Sequence, residues 1–314
     1  MWKSAPFITS VLLLFGVIFF VVGYGKEHEF IKLLRHSKPA WLLAAVALQG
    51  LTYVCAAGIW QRPLSRYGEH RSLNSLIPLG LAKLFTDQAV PSAGLSGTLL
   101  VARALKRRGI SRDLTMTALL VGLVAYYLAY AMAVASALFV LWFYGDLNKM
   151  TIIMATVFSL LVAIVPLGVF WLHRHPDFKI PSWLKKAPGV KDIQDALAGA
   201  STNMFSSPGL IAQTVLLHFA VFVLDAATLS VMLRAVGSPA GFAPVFASFV
   251  IGSVVATIMV MPGGIGTFEG SAIAMLHMFG VPLEASLASV LLLRGFTFWL
   301  PMIPGLWLAR REML

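Results

Sequence analysis

Between two apolar stretches the chain reads Met261-Pro262-Gly263-Gly264-Ile265-Gly266-Thr267-Phe268-Glu269-Gly270. A proline here removes a backbone donor and ends a helix, and the glycines free the backbone to turn back. Glu269 then falls in the first turn of the next helix. In a membrane protein, a broken backbone of this kind persists only where it is packed in protein or lines a cavity. We therefore predict that the stretch is a break between two short helices beside a binding site.

The composition indicates a membrane protein. Of the 314 residues, 59% are hydrophobic and 12% are charged, whereas soluble domains are about 25% charged. The net charge of +11 could indicate nucleic-acid binding. The basic residues cluster beside apolar runs instead, which favours orientation in the bilayer and contact with anionic lipid, so we expect no nucleic-acid partner. A single cysteine, Cys55, excludes an internal disulfide.

Six apolar runs are long enough to cross a bilayer, which takes about 20 residues. They lie at 7–24, 41–60, 114–142, 152–172, 210–233 and 285–309. We interpret the first as a retained span rather than a cleaved signal peptide, because no convincing cleavage site follows it. The polar stretch 173–207 is predicted to hold a surface helix near 190–197, and residues 62–71 are predicted to lie at the membrane interface.

A second broken segment precedes the third span. Residues 73–85 are apolar but too short to cross the bilayer, and they carry Lys83. They lead through Pro91 and Gly94 into a short helical pattern that carries Arg103. This pattern is typical of a re-entrant hairpin, which enters and leaves the membrane on one side.

The two broken segments belong to a repeat. At a constant offset of 171 residues, Pro91 matches Pro262, Gly109 matches Gly280, and Asp113 matches Glu284. Each unit consists of a span, a broken hairpin and a span, and one extra span between the units inverts the second. Inverted repeats of this kind bring their broken helices together near the membrane midplane.

The predicted fold is therefore an all-α polytopic membrane protein, with six full transmembrane helices plus two oppositely oriented re-entrant helical hairpins that form an inverted repeat. We expect one membrane domain over residues 1–314. Its parts are an N-terminal helix and loop (1–40), repeat 1 (41–142), a connecting helix and cytoplasmic linker (143–207), and repeat 2 with the C-terminal tail (208–314). Most of the 24 lysines and arginines then fall on one side. The positive-inside rule places both termini in the cytoplasm, at a bacterial-type inner membrane.

At these motifs the chain resembles the lysylphosphatidylglycerol synthase transmembrane family, a flippase-like membrane domain that is also found fused to a lipid-aminoacylating domain. Pro-Gly-Gly-Ile-Gly followed by Glu269 is similar to the family's most specific motif, and Arg294 matches its usual arginine in the last span. The family commonly has a lysine and then Pro…Gly-Glu…Arg in the first repeat. Lys83, Pro91 and Arg103 fit that pattern, but Ser96-Gly97-Thr98 stands where the Gly-Glu pair is usual.

The resemblance implies lipid transport. It does not imply lipid synthesis, because the aminoacyl-transfer domain is absent from this sequence. The histidines show no metal-ligand spacing, and no nucleotide-binding loop is present, so we expect no enzymatic activity, metal or cofactor. The predicted substrate-binding residues are Lys83, Pro91, Gly94, Arg103, Asp225, Pro262, Gly263, Gly264, Gly266, Glu269 and Arg294.

Two alternatives concern the charged residues. Arg103 could hold a phosphate group bidentately, or it could simply join the surface cluster formed by Lys106, Arg107 and Arg108. The buried charges Asp225, Glu269 and Arg294 could bind substrate or handle protons, or they could form an ion pair that locks two spans together.

Three functions fit the sequence. The leading hypothesis is a flippase-like transporter of an anionic phospholipid or lipid-linked headgroup across the inner membrane. A secondary transporter of a small soluble anion could use the same cavity. The third is a non-transporting membrane partner of a lipid-modifying enzyme. Membrane lipids are the expected ligands, and a homodimer or a complex with a lipid-synthesising enzyme is possible.

Overall fold

The structure is a computed structural model that describes residues 39–89, 95–144, 149–175, 207–258, 264 and 266–313. Several predictions fall outside these residues: the first span at 7–24, the surface helix near 190–197, and the site residues Pro91, Gly94, Pro262 and Gly263.

The described residues form helices and their connections, with no strand among them, so the prediction of an all-α protein is confirmed. The helices are α1 Pro39–Arg66, α2 Leu73–Ala89, α3 Leu95–Arg107, α4 Arg112–Phe143, α5 Lys149–Arg174, α6 Pro208–Ala235, α7 Phe242–Ile258, α8 Thr267–Met278, α9 Leu283–Arg294 and α10 Leu300–Met313. A π-helical turn, Gly295–Trp299, joins α9 to α10.

Four of these helices are long and apolar enough to cross a membrane: α1, α4, α6 and the continuous helix from α9 to α10. They correspond to the spans predicted at 41–60, 114–142, 210–233 and 285–309. Helix α1 runs beyond the predicted span to Arg66 and includes part of the predicted interfacial segment. Six spans remain a prediction, because the apolar part of α5 is the shorter stretch Phe158–Leu172.

The helices fall into two units of matching lengths. In the first unit, α1 to α4 have 28, 17, 13 and 32 residues. In the second, α6, α7, α8 and the α9–α10 helix have 28, 17, 12 and 30 residues. The packing also matches, because α2 lies against α10 of the other unit and α7 lies against α4. A 17-residue helix is about 25 Å long, which is short of the roughly 30 Å hydrocarbon core.

One end of the molecule is rich in basic side chains and is called the basic end here. Arg71, which follows α1, donates from Nη2 to the backbone oxygen of Arg108 at 2.9 Å. The Arg108 guanidinium pairs with the carboxylate of Glu312, near the end of α10. The connections on both sides of the α2–α3 pair therefore lie together with the end of α10.

Two contacts define the opposite end. The Arg234 guanidinium, at the end of α6, lies 5.6 Å above the ring of Trp41, near the start of α1. The ring of Tyr144, which follows α4, meets Phe279 between α8 and α9 edge-on, with 5.7 Å between the centroids. The α7–α8 pair thus starts and finishes at this end, whereas the α2–α3 pair starts and finishes at the basic end.

The two short helix pairs therefore point into the molecule from opposite ends. We call α2–α3 the first hairpin and α7–α8 the second hairpin. This geometry agrees with the predicted inverted repeat, and the entry of each hairpin into a bilayer remains a prediction.

Candidate functional site

The break in the second hairpin depends on glycine at position 264. Gly264 has a φ of 61° and Gly266 a φ of 82°, in the left-handed region that glycine adopts without strain. A Cβ atom added to Gly264 would lie 2.8 Å from the Cβ of Ala256 on α7. The glycines thus allow the chain both to turn back and to pass close to α7.

Glu269 holds the start of the helix that follows the break. Its Oε2 accepts a hydrogen bond from the backbone N–H of Gly266 at 2.6 Å. The hydroxyl of Thr267 donates to the backbone oxygen of Gly264 at 3.1 Å. A carboxylate on a free N–H group at a helix N-terminus also opposes the positive end of the helix dipole.

Arg294 ties the last long helix to the same break. Its Nε donates to Glu269 Oε1 at 2.6 Å, and its Nη2 donates to the backbone oxygen of Gly264 at 3.2 Å. The guanidinium lies 4.4 Å from the ring centroid of Phe268 and 5.5 Å from that of Phe298. The side chains of Arg294 and Glu269 are only 15% and 11% exposed, so the ion pair is largely removed from solvent.

The helix that carries Arg294 widens immediately after it. The N–H of Leu300 bonds to the oxygen of Gly295, five residues back, which defines a π-helical turn. Turns of this kind are frequent at functional sites. Phe298 in this turn supplies one of the two rings beside Arg294. Thr297, also in this turn, lines a cavity that is described below.

Asp225 lies in the same region. Within the described residues, it does not pair with Arg294. Its Oδ1 accepts from the Gln49 amide at 3.0 Å, and that amide also donates to the hydroxyl of Thr228 at 3.0 Å. The three charges therefore separate into an ion pair and a carboxylate held by an amide. Gln49 was not predicted, since its only signal is a polar residue within an apolar span.

A cavity of about 320 Å³ adjoins the second break. Its lining residues are Asp225, Phe249, Ser253, Ala256, Thr257, Gly264, Phe268, Arg294 and Thr297. The hydroxyls of Thr257 and Tyr130 lie 3.2 Å apart at its edge. Arg294 is about 17 Å along its helix from Leu283, so the cavity lies deep in the molecule rather than at its end. We call it the deep cavity.

The first hairpin has its own charged contact, between Lys83 and Asp87 one turn apart on α2. Asp87 Oδ1 also accepts from the N–H of Gly97 on α3 at 2.8 Å. Next to it, the hydroxyl of Ser96 donates to the backbone oxygen of Thr86 at 3.0 Å. Asp87 was not among the predicted site residues, although its spacing from Lys83 was a signal for an ion pair on one helix.

A second cavity, of about 380 Å³, extends from the first hairpin toward the basic end. It is lined by Thr86, Ser96, Leu99, Leu100, Arg103, Lys106, Arg107 and Glu312. We call it the basic cavity. Arg103 lines this cavity beside Lys106 and Arg107 of the surface cluster, and its contact with a phosphate group stays a prediction. Lys83 is not part of the lining.

The comparisons with known proteins concern nearly the whole chain. The family model described as the lysylphosphatidylglycerol synthase TM region matches residues 7–305, which include both hairpins and all predicted site residues. None of the curated proteins matches the chain. Within the part of the chain that the structure describes, no group of three or more metal-ligating side chains is found.

Proposed function

This chain belongs to the family of lysylphosphatidylglycerol synthase TM regions, and from that premise we propose that it moves an anionic phospholipid, or the headgroup of a lipid-linked molecule, across the membrane. It is a multi-pass membrane protein. The family suggests a lipid-related role in the membrane, and the transport step is our proposal.

The observation that carries the proposal is the charge of the basic cavity. Arg103, Lys106 and Arg107 line it together with one acid, Glu312, whose carboxylate pairs with Arg108. Arginine donates in a planar fork that matches the oxygens of a phosphate. A cavity with this lining favours an anionic group over a neutral or cationic one.

The size of the cavities supports a headgroup as the bound moiety. Volumes of about 380 and 320 Å³ suit a headgroup or small anion and leave no space for two acyl chains. In a lipid transporter the chains would stay in the bilayer while the headgroup passes along the protein. In transporters built from inverted repeats, one repeat moves against the other around a fixed site, which opens that site to each side of the membrane in turn.

We propose that the protein acts in a bacterial-type inner membrane. In this membrane the basic end would face the cytoplasm. Arg66, Arg71, Lys106, Arg107 and Arg310 lie toward that end, and the positive-inside rule favours the cytoplasm for it. Enzymatic activity is not part of the proposal. A homodimer or a lipid-synthesising partner is compatible with it.

The proposal is tested by reconstitution of the purified protein into liposomes that contain phosphatidylglycerol with a fluorescent headgroup. A membrane-impermeant reductant then measures how fast the label changes leaflet. We expect transfer faster than in protein-free liposomes, and a loss of roughly tenfold to a hundredfold in Arg103→Gln, since one charged hydrogen bond is worth about 1.5–3 kcal/mol.

The matched control is Arg112→Gln, an exposed arginine at the start of α4 outside the cavity lining, which should transfer lipid at the wild-type rate. Wild-type liposomes that transfer no more lipid than empty ones would contradict the proposal. Uptake of a small soluble anion by the same liposomes, without lipid transfer, would support the soluble-anion transporter instead.

A further inference from the structure

Both hairpins place a carboxylate on a backbone N–H at the start of their second arm, but the two carboxylates come from different positions. In the second hairpin, Glu269 is the third residue of α8 and accepts from Gly266. In the first hairpin, the third residue of α3 is Gly97, and its N–H donates to Asp87 on the other arm. The second arm supplies the carboxylate in the second hairpin, whereas the first arm supplies it in the first hairpin.

The glycine at position 97 matches this exchange. A Cβ atom added to Gly97 would overlap the carboxylate of Asp87. At the third residue of the helix, where α8 carries Glu269, α3 carries Gly97, one position before the residue that the offset of 171 would match. The Asp87 carboxylate fills the space beside Gly97. Each carboxylate also has a cation: Arg294 pairs with Glu269, and Lys83 pairs with Asp87.

The Asp87 contact also supports a wall of the basic cavity. Thr86 and Ser96 line that cavity and are the chain neighbours of Asp87 and Gly97. The hydroxyl of Ser96 donates to the backbone oxygen of Thr86, so two hydrogen bonds join the arms at this point. Loss of the carboxylate would leave one of them.

We infer that Asp87 is a positioning residue of the first hairpin. Like Glu269 on α8, it accepts from a backbone N–H at the start of the second arm; unlike Glu269, it comes from the first arm. It holds the two arms together and so fixes the wall of the basic cavity. Lys83 supports Asp87 rather than contacting the transported group. The consequence for lipid transfer depends on the proposed function, whereas the effect on the hairpin does not.

The test moves the carboxylate back to the second arm. Asp87→Ala should slow lipid transfer by about tenfold or more, the usual effect of losing one hydrogen bond to a charged group. Adding Gly97→Glu to Asp87→Ala places a carboxylate on the third residue of α3, as Glu269 is on the third residue of α8. The new side chain occupies the space that the Asp87 carboxylate has left. We expect the double variant to regain most of the wild-type transfer rate, because the new carboxylate lies beside Lys83 on α2 and can join the two arms again. Gly97→Glu alone should transfer lipid more slowly than the wild type, because the introduced carboxylate and the Asp87 carboxylate would then compete for one space.

Amide hydrogen exchange of the 95–105 segment in detergent gives a readout that does not require transport. Exchange should accelerate in Asp87→Ala and return to the wild-type rate in the double variant. Asp113→Ala, which removes an exposed acid from α4, is the control and should leave exchange of that segment unchanged. If Asp87→Ala does not fold, Asp87→Asn takes its place in both comparisons.

Unchanged exchange in the single variant, or no recovery in a folded double variant, would overturn the inference. If exchange follows the expected pattern while the wild type transfers no lipid, the role of Asp87 stands and the proposed transport fails.

Discussion

Gly264 is the residue at which the smallest change should have the clearest effect. Its φ of 61° costs other residues about 1–2 kcal/mol, and a Cβ atom there would crowd Ala256. We therefore expect Gly264→Ala to lower the midpoint of thermal unfolding in detergent.

The control is Gly270→Ala in α8, where an added Cβ meets open space. Alanine in a helix interior is more favourable than glycine by roughly 0.5–1 kcal/mol, so this variant should be neutral or slightly more stable. Equal stability of the two variants would mean that the turn at position 264 is not the one described.

The Glu269–Arg294 pair makes a second prediction at the residue scale. Glu269→Gln or Arg294→Gln leaves one charge buried without its partner, which typically destabilises a protein by about 3–5 kcal/mol. The double variant has no stranded charge and should recover most of the stability. Thermal unfolding of the wild type and the three variants measures this.

Transport by the same four proteins separates the two roles of the pair. If Arg294 and Glu269 only lock α9 to the second hairpin, the double variant should recover lipid transfer together with stability. We expect stability without transfer, because Arg294 lines the deep cavity, which we propose takes part in transport. Recovery of both stability and lipid transfer would show that the Glu269–Arg294 pair has only a structural role.

At the scale of elements, the first hairpin depends on close packing with the last helix. A Cβ atom on Gly305 of α10 would lie 2.7 Å from the Cβ of Phe85 and 3.0 Å from the backbone oxygen of Leu81, both on α2. Gly305→Ala should therefore push α2 away from α10 and lower the unfolding midpoint. Gly50→Ala on α1, where nothing lies within 4 Å of an added Cβ, should not. A tolerated Gly305→Ala would show that this helix pair is looser than described.

The elements were mostly predictable from the sequence, because apolar length and helix breakers act locally. The predicted place of Glu269 in the first turn of the helix after the break agrees with α8, which begins at Thr267. The first hairpin was predicted less well. Its second arm is helical from Leu95, and no glutamate near the start of that arm matches Glu269 of α8.

The contacts that complete the site could not be predicted, since they join distant parts of the chain. Gln49 and Asp225 are 176 residues apart, and a single sequence carries no signal for that pairing. The contact between Asp87 and Gly97 depends on how the two arms fold back, and α2 supplies the carboxylate, whereas the family pattern places it at the start of the second arm. The family resemblance indicated that the usual Gly-Glu pair is missing from the first repeat. It did not indicate that Asp87 supplies a carboxylate there.

At the scale of the whole molecule, the account depends on two hairpins that enter from opposite faces of the membrane. The α3–α4 connection lies at the basic end, where Arg108 meets Glu312, and the α8–α9 connection lies beside Tyr144 at the other end. Helix α4 separates them with 32 residues, or about 48 Å. A membrane around α4 would place the two connections on different sides.

Cysteine labelling in intact cells tests this claim most directly. With Cys55, the only cysteine, changed to serine, Arg112→Cys and Leu283→Cys report on exposed positions beside the two connections. We predict that an impermeant maleimide added from outside labels Leu283→Cys at once and labels Arg112→Cys only after the membrane is permeabilised. Labelling of both positions from the same side would contradict the inverted arrangement of the two hairpins.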